Sequence, residues 1–262
     1  MLGRTQEPDL ERRFGGVARL YGTAGLARFQ AAHVCVIGIG GVGSWAAEAL
    51  ARNAIGRITL IDLDNVAESN VNRQLQAIES EFGKAKVSAM AQRIRAINPA
   101  CQVHEIEDFV TLDNVESMLG RGYDGVIDAI DDARAKAAIA AYCRTSKLSL
   151  VITGGAGGRL DPTRISSADL AKTSGDRLLA KVRTILRRDY DFGGGNKGNE
   201  KSRFGIPCIY SDETVIKPVQ SCSSEADHLT GLNCAGYGSS VCVTASFGMA
   251  ATATLLNILL KS

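Results

Sequence analysis

Apolar and polar positions along the first 160 residues alternate between short apolar runs and stretches of helical period. The run AHVCVIGIGG, from Ala32 to Gly41, is apolar apart from His33. That pattern suits a strand buried on both faces, and a helix through Ser44 to Asn53 follows it. A second strand, RITLIDLD, ends in the acidic pair Asp62 and Asp64. Between Lys84 and Ile97, the residues Val87, Met90, Ile94 and Ile97 recur on one helical face, and Asn98-Pro99 stops the pattern. CQVHEIE then alternates as a strand, and TLDNVESML reads as a short helix opened by Thr111. YDGVIDAI is another apolar strand, RAKAAIAAYCRTS a helix and LSLVITGG a strand. Ahead of all these, FGGVARLYGTAGLARFQ reads as an N-terminal arm plus a short helix. Strands alternating with helices predict an α/β fold. Its mostly parallel, doubly wound sheet carries helices on both faces and ligands at the carboxyl ends of its strands.

The second part of the chain changes character. DRLLAKVRTILRRDYDF is a basic helix, and GGGNKGNEKSRFG has almost no apolar residue, which predicts a mobile loop at about 193–205. Between Gly157 and Gly205 there are eleven Lys or Arg against six Asp or Glu. From Leu229 to Leu260 there is no formal charge, and SSVCVTASFGMAATATLLNILL is long enough to span a bilayer. Its Ser, Thr, Gly and Ala content, and Asn257 late in the run, favour a buried apolar helix, with membrane association of residues 240–260 as the alternative.

Composition narrows this further. A chain of 262 residues with 45% hydrophobic content buries one sizeable core, so one domain is expected, divided into a nucleotide half (1–158) and a C-terminal extension (159–262). A net charge of +2 requires no DNA partner. MLGRTQEPDLERRFGG has no apolar leader, which predicts a cytoplasmic protein. Seven scattered cysteines with no CxxC pair argue against a disulfide framework or a four-thiolate zinc site. His33, His104 and His228 have no ligand spacing.

The candidate chemistry gathers where the strands end. Gly38, Gly40 and Gly43 satisfy GxGxxG between a strand and a helix, and Asp62 lies where a ribose-binding carboxylate is expected, so the fold is Rossmann-like. A dehydrogenase needs nothing more for its pyrophosphate. This chain adds Asn70, Arg73 and Gln74 past the second strand, Lys86 at the next helix start and Asp131 past VIDAI, all beside Asp64 on the ligand edge. Arg73 and Lys86 suit triphosphate oxygens and Asp131 suits Mg²⁺, an arrangement for attack at phosphorus.

These residues, with GIGGVGS, LIDLDNVAESNVNRQ, GKAK, INP and DAIDD, resemble the ubiquitin-activating-enzyme-like adenylating proteins that include ThiF and MoeB. The resemblance implies that Gly41 contacts ATP phosphates and Asp62 the ribose. It also implies that Asn70, Arg73 and Lys86 meet the phosphate chain and that Asp131 binds Mg²⁺. It further implies a homodimer in which an N-terminal arginine, here Arg13 or Arg19, reaches the partner's ATP. A monovalent cation, Na⁺ or K⁺, is left open.

RFGGVARLYG, VITGGAGGRLDPT, DLAKT and CAGYGSSVCVTASFG are similar to a narrower branch, the tRNA threonylcarbamoyladenosine dehydratases. That branch implies ATP-dependent cyclisation of the modified adenosine at tRNA position 37 to an oxazolone. The alternative is adenylation of a sulfur-carrier protein's C-terminal glycine. Under the first reading, Lys172, Arg177, Lys181, Arg183, Arg187, Arg188, Lys197, Lys201 and Arg203 are candidates for the tRNA backbone. Cys234 reads as a small buried residue beside Gly236; sulfur chemistry with a cysteine desulfurase or sulfur acceptor is the other reading.

Overall fold

The computed structural model describes residues 8–193, 203–216 and 237–261. Cys222, His228, Cys234, Lys197 and Lys201, and most of the loop expected at 193–205, therefore lie outside the described residues. In chain order the elements are α1 (Leu10–Ala31), β1 (His33–Ile37), α2 (Gly43–Arg52), β2 (Arg57–Ile61), α3 (Lys86–Ile97), β3 (Gln102–Ile106) and α4 (Val115–Leu119). There follow β4 (Gly125–Asp128), α5 (Ala133–Ser146), β5 (Ser149–Thr153), β6 (Ile165–Asp169), α6 (Arg177–Asp189), β7 (Pro207–Ser211) and α7 (Val241–Leu259).

The sheet has seven strands in the order β3-β2-β1-β4-β5-β7-β6. All neighbours are parallel except β6 with β7. The order reverses between β1 and β4, which puts the ligand crevice at their carboxyl ends. Strand residues alternate between two cores. Val34 and Val36 face the layer of α2, α3 and α7, while Cys35 and Ile37 face α4, α5 and α6. Each fully buried aliphatic side chain contributes about 1.5–3 kcal/mol, so the two layers hold the sheet from both sides.

Three expectations are corrected. The N-terminal arm plus short helix is one helical segment, α1, kinked at Gly22, whose φ of 78° and ψ of 162° are non-helical. Phe14 and Phe29 anchor it, and a side chain at Gly25 would meet Leu260 and Tyr21 at 3.0 Å, so packing overrides glycine's poor helix propensity. The short helix after β3 starts past Asn114, whose Oδ1 accepts the N–H of Thr111, so Thr111 lies in the preceding turn. Strands β6 and β7 were not expected; ISSAD has two serines and PCIYS begins with proline, so neither shows a strong strand pattern.

The apolar C-terminal run is α7, long and apolar enough to cross a bilayer by length and composition. Here it is a core helix. Val243, Phe247, Ala251, Leu255 and Leu259 are buried. Gly248 lies so close to α2 that an added Cβ would stand 2.5 Å from the Val42 carbonyl. Thr252 Oγ1 donates to the Ala46 carbonyl at 3.1 Å.

Candidate active site

The glycine loop between β1 and α2 is shaped by contacts that only glycine permits. Gly38 has φ of 84°, and a Cβ there would meet Ile130 and the Ala129 backbone at 3.0–3.1 Å. A Cβ on Gly43 would stand 1.8 Å from the Gly38 carbonyl, so the start of α2 presses directly on the end of β1. Above Gly40 the space is open, with nothing within 4 Å of an added Cβ. The Ser44 N–H is already taken by the Gly40 carbonyl at 3.1 Å, so phosphate in this open corner would meet the N–H groups of the loop and the helix start ahead of it.

Asp62, just past β2, holds this loop. Its Oδ2 accepts the Ile39 N–H at 2.6 Å and its Oδ1 the Asp64 N–H at 2.9 Å. Burial pushes its carboxyl above the usual carboxylate range, while Lys86 and the two N–H groups pull it back down. Asp64 Oδ2 receives the ammonium of Lys86 at 2.7 Å. Lys86 is buried at the first position of α3, and its own N–H donates to the Asp64 carbonyl at 3.0 Å.

The segment 70–76 is fastened over the same loop. Asn70 Oδ1 accepts the Ala67 N–H at 3.1 Å, closing a turn. The Trp45 indole on α2 donates to the Arg73 carbonyl at 3.0 Å. Arg73 lays its methylenes over Gly41, where a Cβ would lie 3.1 Å from its Cγ, and its guanidinium donates to the Ser69 carbonyl and Asn72 Oδ1. Burial lowers the pKa of that guanidinium. Gln74 is buried, with Oε1 accepting from Gln76 Nε2 at 3.2 Å.

Asp131 is exposed in the loop after β4 and makes no hydrogen bond among the described residues; Asp132, next to it, caps α5 through the Ala135 N–H at 2.7 Å. Gly38, Gly40, Gly41, Gly43, Asp62, Asp64, Asn70, Arg73, Gln74, Lys86 and Asp131 thus come from the carboxyl ends of β1, β2 and β4 and the loops leading to α2 and α3.

The two N-terminal arginines lie elsewhere. Arg13 donates to the carbonyls of Ala96 and Ile97, capping the far end of α3 from Lys86. Arg19 is exposed and folds over Gly15 and Gly16. On α6, Lys181, Arg187 and Arg188 are exposed, with Arg187 set 5.5 Å over the Phe204 ring and Arg188 paired with its neighbour Asp189. Arg183 is partly buried and donates to the Thr173 hydroxyl. Arg203 and Lys172 line a cavity of about 460 Å³ at the β6–β7 end.

Several polar residues escaped the sequence reading. Gln76 is buried and donates Nε2 to the Ile39 carbonyl at 2.8 Å, tying segment 70–76 to the glycine loop. Asp128 at the end of β4 and Lys136 on α5 form a fully buried pair, 2.9 Å apart, and Asp128 Oδ1 also accepts the Ile130 N–H. This pair sets the loop that touches Gly38 and carries Asp131. Leu63 and Phe109, both about half exposed, stand past the paired ends of β2 and β3. The thiols of Cys35, Cys101, Cys143 and Cys208 are buried and their pKa values are raised, so they are inert small apolar residues; Cys242 is exposed.

Comparison with known proteins agrees with this geometry. The chain is 48% identical to tRNA threonylcarbamoyladenosine dehydratase of Haemophilus influenzae, over 97% of this chain and 95% of that protein. It is 50% identical to the Escherichia coli protein of the same name, over 94% and 92% of the two chains. The crystal structure of the E. coli dehydratase, TcdA, in complex with ATP is similar at a TM-score of 0.86 and 48% identity, covering 97% of this chain and 96% of that one. The ThiF family pattern matches residues 14–261, and with nearly its whole length accounted for, the chain belongs to the ThiF family.

Proposed function

We propose that this chain is an ATP-dependent tRNA threonylcarbamoyladenosine dehydratase. The observation that carries the reading is the near-full-length similarity to dehydratases, which extends past the nucleotide-binding half through α6 and α7. The substrate's carboxylate is a poor electrophile. Its oxygen attacks the α-phosphorus of ATP, the bond to the β-phosphate breaks, and pyrophosphate leaves. The urea oxygen then closes on the activated carbonyl, the bond to AMP breaks, and the urea nitrogen loses its proton. The product is a cyclic oxazolone, and the net loss is one water. Ring closure is intramolecular, so proximity accelerates it without an enzyme thiol.

The chain's residues divide the work. Gly40, Gly41 and the start of α2 receive phosphate, and Asp62 takes the ribose hydroxyls while holding Ile39. Leu63 and Phe109 offer an apolar wall to the purine. Arg73 and Lys86 neutralise phosphate oxygens, which requires each to exchange a present partner for the ligand: Ser69 and Asn72 for Arg73, Asp64 for Lys86.

Mg²⁺ fits this edge. Asp131 has an exposed carboxylate free of hydrogen bonds among the described residues. One carboxylate suits an ion held chiefly by phosphates and water. Asp131 would hold it, and bound Mg²⁺ would supply charge neutralisation on the leaving pyrophosphate.

The chain works as a homodimer through the outer faces of α1 and α7, where Leu20, Val241 and Met249 are exposed. Arg19 reaches the partner's ATP, because Arg13 already caps α3. Lys181, Arg187, Arg188 and Arg203 hold tRNA phosphates.

Release of AMP from ATP tests the function. AMP formation that depends on tRNA carrying threonylcarbamoyladenosine is expected; AMP formation with a sulfur-carrier protein and none with tRNA would sink it.

A further inference from the structure

The proposed reaction uses two regions on different elements. The adenylating residues stand at the carboxyl ends of β1, β2 and β4, whereas the basic helix α6 packs on α5. One buried cluster ties α6 to the carboxyl ends of β5 and β7, on the same edge of the sheet as the adenylating residues. Arg159, in the loop after β5, is 2% exposed. Its guanidinium donates to Asp176 Oδ2 at 3.2 Å, to the Glu213 carbonyl at 3.3 Å and to the carbonyl of Ser211 at the end of β7. Asp176 is the N-cap of α6, its Oδ1 accepting the Leu179 N–H at 2.9 Å. The Oδ2 that meets Arg159 also accepts the Gly155 N–H at 2.9 Å, just past β5. A side chain at Gly154 would place its Cβ 2.2 Å from that same oxygen, so the chain approaches Asp176 as closely as glycine allows.

A buried ion pair is a weak source of stability, since its attraction is spent on desolvation. What this pair provides is register, because one carboxylate defines both the first turn of α6 and the backbone at the end of β5. The helix then runs antiparallel to the strands. Its first turn is tied to the carboxyl end of β5. Past its other end, Phe192 lies 4.3 Å beneath Arg144, which is near the C-terminus of α5. Arg177 and Lys181 are therefore nearest the reactive edge, and Arg187 and Arg188 farthest, about 15 Å away at 1.5 Å per residue.

We propose that Arg159 and Asp176 are positioning residues that set the RNA-binding helix in register with the reactive edge, so that RNA held on α6 presents its carboxylate at the α-phosphorus. This rests on reading α6 as the RNA-binding surface. Misplacement by about 1 Å costs about 100-fold in rate, so the effect falls on the chemical step and not on RNA affinity.

The test compares Arg159→Lys, which keeps the charge and loses the fork, with the uncharged pair Arg159→Met/Asp176→Asn, which keeps the cap and leaves no buried charge unpaired. For each, four quantities are measured: the thermal melt, the KM for ATP, tRNA affinity with its salt dependence, and the single-turnover dehydration rate at saturating tRNA. The expected result is a folded protein with ATP KM and tRNA affinity within about twofold of the parent. Dehydration should be slowed about 10- to 100-fold, less in Arg159→Lys than in the double variant. A double variant with the parent's rate, or one slowed only in proportion to lost folded protein, would overturn the positioning role. Lys181→Ala/Arg187→Ala in the parent background separates the underlying reading. If that variant leaves tRNA affinity and its salt dependence unchanged, α6 is not the RNA surface and both inferences fall.

Discussion

Burial opposes the charge of Asp62, and Lys86 and two backbone N–H groups offset that opposition only in part. Its folded pKa lies above the value of the free side chain. Protonation therefore favours the folded chain, and the cost of holding the charge, present above the folded pKa, is relieved as pH falls through it. Nucleotide binding has the opposite sign, since ribose hydroxyls and the Ile39 N–H need the charged form. ATP affinity followed by calorimetry on acidification should drop at a higher pH than an unperturbed aspartate would give. Asp62→Asn leaves one of the two N–H groups without an acceptor and should cost about 1–3 kcal/mol of stability in a denaturant melt. Arg73→Ala should lower kcat/KM for AMP formation by about 100- to 1,000-fold with little change in melting. The positions of the glycines and Asp62 were legible in the sequence from the strand–glycine–helix spacing, and those of Arg73 and Lys86 from their places past the second strand and at the next helix start. Gln76, the Asp128–Lys136 pair and the Arg159–Asp176 pair were not. Their meaning depends on partners brought together by the fold, such as Gln76 with Ile39 or Arg159 with Asp176, and no spacing rule announces them.

Among the elements, α7 shows how an apolar run misleads until its neighbours are known. Composition left a bilayer span open; Gly248 against Val42 and Ala46, with Thr252 on Ala46, makes it the helix that backs α2. Gly248→Ala should cost about 1–3 kcal/mol in a thermal or denaturant melt, since the added methyl group must push α2 aside. It should also weaken ATP binding, because α2 starts at the phosphate corner. The start of the chain hides its helix for a related reason: four glycines in α1 obscure a pattern that Phe14, Phe29 and the Leu260 contact sustain. Helix α6 was legible from its own pattern, with Leu178, Leu179, Val182 and Leu186 inward and the cations outward. On the RNA reading, Lys181→Ala and Arg187→Ala should each reduce the slope of log affinity against log salt by about one.

In the whole molecule, strands β1 to β5 were legible, four from apolar runs and β3 from alternation, and the added β7–β6 pair was not, although it carries the sheet from β5 toward α6. That extension gives the second half of the chain its place: β7 supplies Ser211 to the Arg159 cluster, and α7 closes the opposite face. Dimerisation with Arg19 acting across the interface predicts complementation. Mixing inactive Arg19→Ala with inactive Arg73→Ala should restore about a quarter of the parent activity, since half the dimers are mixed and one of their two sites is intact. No recovery after verified subunit exchange would place Arg19 in its own chain's site or outside catalysis.

The mass of the modified nucleoside reports the dehydration itself. The protein is incubated with ATP, Mg²⁺ and tRNA bearing threonylcarbamoyladenosine, and the tRNA is digested and weighed by mass spectrometry. Loss of the mass of one water from that nucleoside, matched by one AMP per tRNA and absent without ATP, is the predicted result. An unchanged nucleoside mass with active, ATP-binding protein would contradict it.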